Sequence, residues 1–247
     1  MTNEETIRKM NAMKLTAMAR AFTQALENKT GDNFTADELI GAITDAEWDD
    51  RHNRRLKRLL YFARLRYQVS FEQIDFDSQR NLNKNSMLRF SNCQWIPKGE
   101  SILITGSTGV GKSFLACALG NLACLNGFSV LYFNCVKLLT QLTMAKADGS
   151  YARLINRIEK AQLLILDDFG LEPLERTSRL NLLEILEDRH SRKSTIISSQ
   201  LPPGKWHDVI GDATIADAIC DRLVHSAHKI SLKGDSLRKK YAQKLDQ

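Results

Sequence analysis

The stretch Gly106 to Ser113, G-S-T-G-V-G-K-S, is where the sequence concentrates its chemistry. It has the spacing G-x-x-x-x-G-K-[ST], follows the apolar run SILIT and opens the run SFLACALGNLACL. A strand before this spacing and a helix after it are the context in which it has a mechanism. Glycines let backbone N–H groups turn inward around phosphate oxygens, and the start of the helix adds its own exposed donors. Gly106, Ser107, Thr108, Gly109, Val110, Gly111, Lys112, Ser113 and Phe114 form the expected nucleotide-binding set. Lys112 is expected to reach the β- and γ-phosphates, and the Ser113 hydroxyl to ligate Mg²⁺.

A triphosphate site also needs a carboxylate for the metal. The run LLILDDFG supplies two acids directly after four aliphatic residues. Asp167 is expected to hold Mg²⁺ through water, and Asp168 to orient or deprotonate the attacking water; the alternative is a polar strand end facing solvent. The next apolar run, STIISSQLPP, ends in Ser198, Ser199 and Gln200. Gln200 or one of the two serines could contact the γ-phosphate or the water, although a turn before Pro202 would use the same residue types.

These residues must be positioned by a scaffold. From residue 100 onward, short apolar runs alternate with helical stretches. Strands are expected at 101–105, 129–133, 163–167, 195–198 and 229–232, with helices at 112–125, 136–147, 177–190 and 213–224. Apolar runs linked by crossover helices predict an α/β fold, a parallel sheet sandwiched by helices. The first 70 residues differ. Ile7, Met10, Met18, Phe22 and Leu26 fall at near-helical spacing over 4–27, with no Gly or Pro. A turn cluster NKTGDN follows, then a capping-box pattern at Thr35 and Glu38 opens a helical tract to about Leu65, with a break expected around 48–53. The expected organisation is a small all-helical domain at 1–70, a polar linker at 71–98 and an α/β domain at 99–247.

The 247 residues carry a net charge of +6, with 43% hydrophobic and 26% charged residues. This is the composition of a chain able to bury a sizeable core. No apolar run is long enough for a membrane span and no signal-peptide pattern opens the chain, so a cytoplasmic protein without membrane contact is expected. Five cysteines without metal-ligand spacing read as reduced thiols. Seven basic residues and no acid occupy 51–66. With Leu56, Leu59, Leu60 and Phe62 as a packing stripe, Arg54, Arg55, Lys57 and Arg58 are left to meet phosphate backbones, a protein partner or solvent. Duplex DNA bound largely without regard to sequence is the favoured partner.

The nucleotide loop, LLILDDFG, STIISSQLPPGKWHDVIGD, DAICDRLVH and ISLKGDSLRK, in this order, resemble the IstB-like ATPases of insertion sequences. These are AAA+ proteins related to the DnaC helicase loaders. The resemblance implies a P-loop AAA+ sheet, ATP and Mg²⁺ as cofactors, and a homo-oligomer that forms on DNA with ATP and assists a transposase in target selection and regulation. It makes Arg222 an arginine finger completing a neighbouring subunit's site and Arg238 a sensor II arginine. An arginine in trans would stabilise charge on the transferring phosphoryl group; a surface arginine paired with Asp217 or Asp221 is the other reading of Arg222. Usual AAA+ proteins carry Asp-Glu where this chain carries Asp-Asp. The rival functions are a helicase loader, a P-loop small-molecule kinase and a nucleotide-gated scaffold with negligible turnover.

Overall fold

The computed structural model describes residues 2–28, 35–76, 80–224 and 227–237. Its contacts divide the chain into two compact units, Met1–Arg58 and Leu59–Gln247.

The first unit holds α1 (Asn3–Ala12), α2 (Thr16–Glu27) and most of α3 (Ala36–Ala63). The sequence predicts one unbroken helix over 4–27, but the chain turns at Lys14, which adopts φ +62°. The turn closes locally, with the Lys14 amide donating to the Asn11 carbonyl at 2.9 Å and the Leu15 amide to that of Met10 at 2.9 Å. No side chain beside α2 caps its start; instead Glu47 Oε2, from α3, accepts from the amides of Ala17 at 2.9 Å and Met18 at 3.1 Å. A helix start without a local cap needs such an acceptor. The same interaction explains why α3 continues through 48–53, where a break was expected. Glu47 accepts from Arg51 at 2.8 Å, and Asp50 pairs with Arg54 and, at 3.6 Å, with Arg20. Acid four residues before base is the favourable helical order. The capping box opens α3 as expected, with Thr35 N donating to Glu38 Oε2 at 2.8 Å and Glu38 N to Thr35 Oγ1 at 3.4 Å.

The second unit is built on a parallel sheet of order β2-β3-β4-β1-β5, comprising β1 (Ser101–Thr105), β2 (Val130–Asn134), β3 (Leu163–Phe169), β4 (Ser194–Ser199) and β5 (Ala227–Ser231). Between strands run α5 (Lys112–Leu125), α6 (Cys135–Asp148), α7 (Tyr151–Lys160), α8 (Arg176–Arg189), α9 (Trp206–Ile210) and α10 (Ala213–Val224). Leu103, Leu131, Leu164, Leu166 and Ile197 face one layer of helices, including Leu138, Leu142, Ile158, Ile185, Trp206 and Ile219. On the alternate side, Gly120 of α5 lies so close to Ile165 that a Cβ there would meet its Cδ1 at 2.7 Å. Covered faces explain the uninterrupted apolar strands. Four of the five cysteines are buried, none is in a disulfide, and burial pushes the thiols of Cys124 and Cys135 up to about 12.

The described residues of 71–98, which are 71–76 and 80–98, pack into the second unit where the sequence suggests a polar connection. Phe71, Ile74, Leu82, Met87, Phe90, Trp95 and Ile96 are buried, and α4 (Lys84–Leu88) forms within this stretch. Ser194 Oγ donates to the carbonyls of Trp95 and Ile96 at 3.2 Å, tying the segment to β4. Its apolar residues are spaced too irregularly for a periodic element, which is why they read as a linker. Among the described residues, no helix is long and apolar enough to cross a membrane.

Candidate nucleotide site

The cleft lies at the C-terminal ends of the strands, where open parallel sheets bind ligands. β1 ends at Thr105 and the loop 106–111 leads into α5. Gly106 has φ +150°, and a Cβ there would stand 2.5 Å from the carbonyl oxygen of Leu232. Gly111, at φ +94°, starts α5, and a Cβ there would meet the Arg80 guanidinium at 2.8 Å. At Gly106 the obstacle is backbone, and at Gly111 the left-handed φ itself disfavours a side chain, so both positions call for glycine. Lys112 is buried, with Nζ donating to the Ser107 carbonyl at 2.9 Å across the loop. Val110 is buried beneath the loop, while Ser107 and Thr108 are exposed at its crest. A cavity of about 400 Å³ opens beside it, lined by Thr108, Gly109, Gly111, Lys112, Ser113 and Phe114, together with Asp168 and Gln200.

Asp167 is fully buried at the end of β3. Its Oδ1 accepts from Ser113 Oγ at 3.0 Å and from Ser198 Oγ; its Oδ2 accepts from the Tyr132 hydroxyl at 2.5 Å. Burial, reinforced by Asp167, pushes the Tyr132 phenol far above its ordinary range and keeps it a donor. Successive residues on a regular strand point to opposite faces. Asp167 and Asp168 escape this rule because β3 is irregular: Leu166 pairs with Ile197, but Phe169 pairs with Ser199. Two acids stand against the single residue Ser198, and Asp168 adopts φ +60°. A bulge of this kind re-aims a side chain. Asp168 Oδ2 accepts from Asn134 Nδ2 at 3.1 Å and from Arg66 Nη1 at 3.4 Å, while its amide donates to Ser198 Oγ at 3.1 Å.

The three polar residues ending β4 do different things. Ser198 bonds both acids. Ser199 Oγ donates to the Phe169 carbonyl at 2.8 Å, a backbone tie, whereas Gln200 Oε1 accepts from Thr108 Oγ1 at 2.8 Å inside the cleft. Arg222 lies elsewhere on the subunit. Its guanidinium donates to the Ala218 carbonyl at 2.8 Å and to Glu187 Oε1 at 2.5 Å, both within the same subunit. Arg238 is outside the described residues.

A family model described as IstB-like ATP binding protein matches residues 8–245. The chain belongs to this family. It is 47% identical to the insertion sequence ATP-binding protein y4pL of Sinorhizobium fredii, over 97% of this chain and 98% of that one. Against the ATP-binding protein of insertion sequence IS21 from Pseudomonas aeruginosa, identity is 28% over 95% and 89% of the two chains. Among solved structures, the DnaC helicase loader matches with a TM-score of 0.53 at 21% identity, covering 64% of this chain and 95% of that one. DnaI matches at 0.58 and 21%, covering 68% and 90%. At such identity the likeness concerns the fold, a parallel five-stranded AAA+ sheet flanked by helices.

This IstB-like site contains residues that motif spacing does not announce. Arg66 belongs to a basic run that reads as one outward face. Tyr132 and Asn134 sit at the end of β2, where alignment of strand ends beside LLILDDFG was the available signal. Arg80 lies in the polar stretch before the sheet, yet its Nη2 donates to the Val110 carbonyl at 2.9 Å and its Nη1 to that of Asp75 at 2.7 Å. Nothing in the local sequence marks it. The residues fit Mg²⁺: a hydroxyl and a carboxylate oxygen 3.0 Å apart are a donor pair for an ion that completes its shell with phosphate and water.

Proposed function

We propose that this IstB-like protein hydrolyses ATP, assembles as a homo-oligomer on duplex DNA in its ATP state, and assists a transposase in target selection and regulation. The observation that carries hydrolysis is the convergence of Ser113, Asp167 and Asp168 beside the nucleotide loop. Lys112 and the loop amides bind the β- and γ-phosphates. Ser113 and Asp167 would hold Mg²⁺, which when bound neutralises charge on the transferring phosphoryl group. Asp168, aimed by the bulge into the same cleft, holds the attacking water and takes its proton.

Arg55, Lys57 and Arg58 are exposed on α3 and supply cations for phosphate backbones, and no stretch of the sequence resembles a base-reading zinc finger or homeodomain. Arg54 contributes less, because Asp50 and Glu47 pair with it. Arg222 does not line its own cleft, which supports a role at a neighbour's site, and sensor II for Arg238 rests on the family resemblance. Relatives at 40% and 47% identity over nearly the whole chain are insertion-sequence proteins, which supports transposition over helicase loading.

The test is subunit mixing on duplex DNA. Lys112→Ala subunits should fail to assemble with ATP, and Arg222→Ala subunits should bind ATP but hydrolyse it poorly. A mixture should regain part of the activity, because some junctions then join an intact loop to an intact arginine. ATP-dependent assembly by Lys112→Ala equal to that of the wild type would overturn the nucleotide reading. Absence of recovery in demonstrably mixed assemblies would remove Arg222 from the site.

A further inference from the structure

We propose that Arg66 is a positioning residue of the hydrolytic site, a guanidinium from the same chain that spans both acids and aims Asp168. The inference rests on the hydrolysis reading above. Arg66 Nη1 stands 3.6 Å from Asp167 Oδ2 and 3.4 Å from Asp168 Oδ2. Two neighbouring carboxylates repel, and one cation between them offsets that repulsion while fixing their separation.

Which oxygens the arginine takes is informative. On Asp167 it approaches Oδ2, the atom shared with the Tyr132 hydroxyl, whereas Oδ1 faces Ser113. The guanidinium therefore stands away from the oxygen that, with Ser113, would hold a metal. On Asp168 it again takes Oδ2, the atom that also accepts from Asn134. Two donors converging on one oxygen anchor that end of the carboxylate, and Asp168 itself lines the cleft.

Arg66 is itself held in place. Its guanidinium lies 5.4 Å from the centre of the Tyr67 ring, and both residues line the cleft. Its side chain is 41% exposed, so the pair contributes little to folding. The effect belongs in turnover, because a base displaced from its water loses catalysis without losing the nucleotide.

The test compares Arg66→Ala and Arg66→Lys with the wild type in the full chain on duplex DNA. Loss of an orienting partner typically costs about 10- to 100-fold in activity, so kcat of Arg66→Ala should fall by about that much. KM for ATP, the Kd for nucleotide and the Mg²⁺ midpoint for nucleotide binding should stay within about twofold, and Arg66→Lys should recover part of kcat. Parallel loss of kcat and nucleotide affinity would show a merely structural role and overturn the proposal. A Mg²⁺ midpoint several-fold tighter in Arg66→Ala would also overturn it, by placing the arginine in competition with the metal. Crystal structures of the wild type and Arg66→Ala give a readout independent of turnover: Asp168 should swing away from Asn134 in the variant, and an unmoved carboxylate refutes the proposal. A wild type without turnover would refute the hydrolysis reading, leaving the crystal structures to decide Arg66.

Discussion

Replacing Glu47 with alanine should loosen the start of α2 through the loss of a cap that lies 30 residues away in sequence. Oε2 holds the amides of Ala17 and Met18, and Oε1 holds Arg51. The bond from Arg51 holds the Glu47 carboxyl below its ordinary value of 4.5, burial opposes this, and the two amides add to the lowering. A hydrogen bond to a charged group contributes about 1.5–3 kcal/mol net, so the two amide bonds sum to about 3–6 kcal/mol. Water can reach part of a helix start, which brings the expected loss to the lower end, about 3 kcal/mol. The Arg51 side chain is 56% exposed, so its pairing adds little. At 1.4 kcal/mol per factor of ten, amides at the start of α2 should exchange with deuterium about 100-fold faster in Glu47→Ala. Glu47→Gln keeps a neutral acceptor and should fall between the two. Because the folded pKa is depressed, the stabilisation is fully present above 4.5 and is lost as pH falls through the lower folded value. Wild-type protection of α2 should therefore decline in that acid range, and that of Glu47→Gln should not. Hydrogen exchange followed by mass spectrometry over residues 16–27 checks the wild type and both variants. Wild-type protection in Glu47→Ala would refute the long-range cap, and Glu47→Gln as unprotected as Glu47→Ala would refute the acceptor's role.

Removing Arg55, Lys57 and Arg58 together should flatten the slope of log K against log salt for duplex DNA by up to about 2.7, at about 0.9 per phosphate contact. Arg54→Ala alone should leave the slope nearly unchanged because Asp50 and Glu47 already pair with it; a drop as large as that for Arg58→Ala would refute that distinction. Asp168→Asn should bind ATP normally, hydrolyse it slowly and hold the assembly on DNA longer, as read by DNA retention after ATP addition. Rapid release of this variant would argue against a role for Asp168 in water activation.

The gathering of the loop and the two acids at one cleft was legible in sequence. Gly106 to Ser113 and Asp167–Asp168 each form a short string whose spacing places it at a strand end, and the covered sheet shows in apolar runs such as LLIL. Elements decided by distant partners were not legible. The start of α2 is held by Glu47, and α3 carries ion pairs through 48–53 that a polar run conceals. Residues 71–98 bury scattered apolar side chains without a period, so their packing against the sheet has no local signature. Arg66 was visible as charge but not as a partner of the acids, since only folding brings it beside residues about a hundred positions later.

The bulge in β3 also restricts the alphabet allowed at position 168. Holding an ordinary side chain in the left-handed region costs roughly 1–2 kcal/mol, while Gly, Asn and Asp tolerate it. Of these three only aspartate carries a carboxylate. A chain that lays out its strand this way and needs a second acid there has a single inexpensive option, and glutamate is not it. The Asp-Asp pair then reads as inherited from backbone geometry, without any implication of a selected slow turnover. A drift from Asp168 to Glu would have to pass through strain or rebuild the end of the strand. Saturation mutagenesis scored for folding should accordingly favour Asp, Asn and Gly at this position, and disfavour Glu and the β-branched residues.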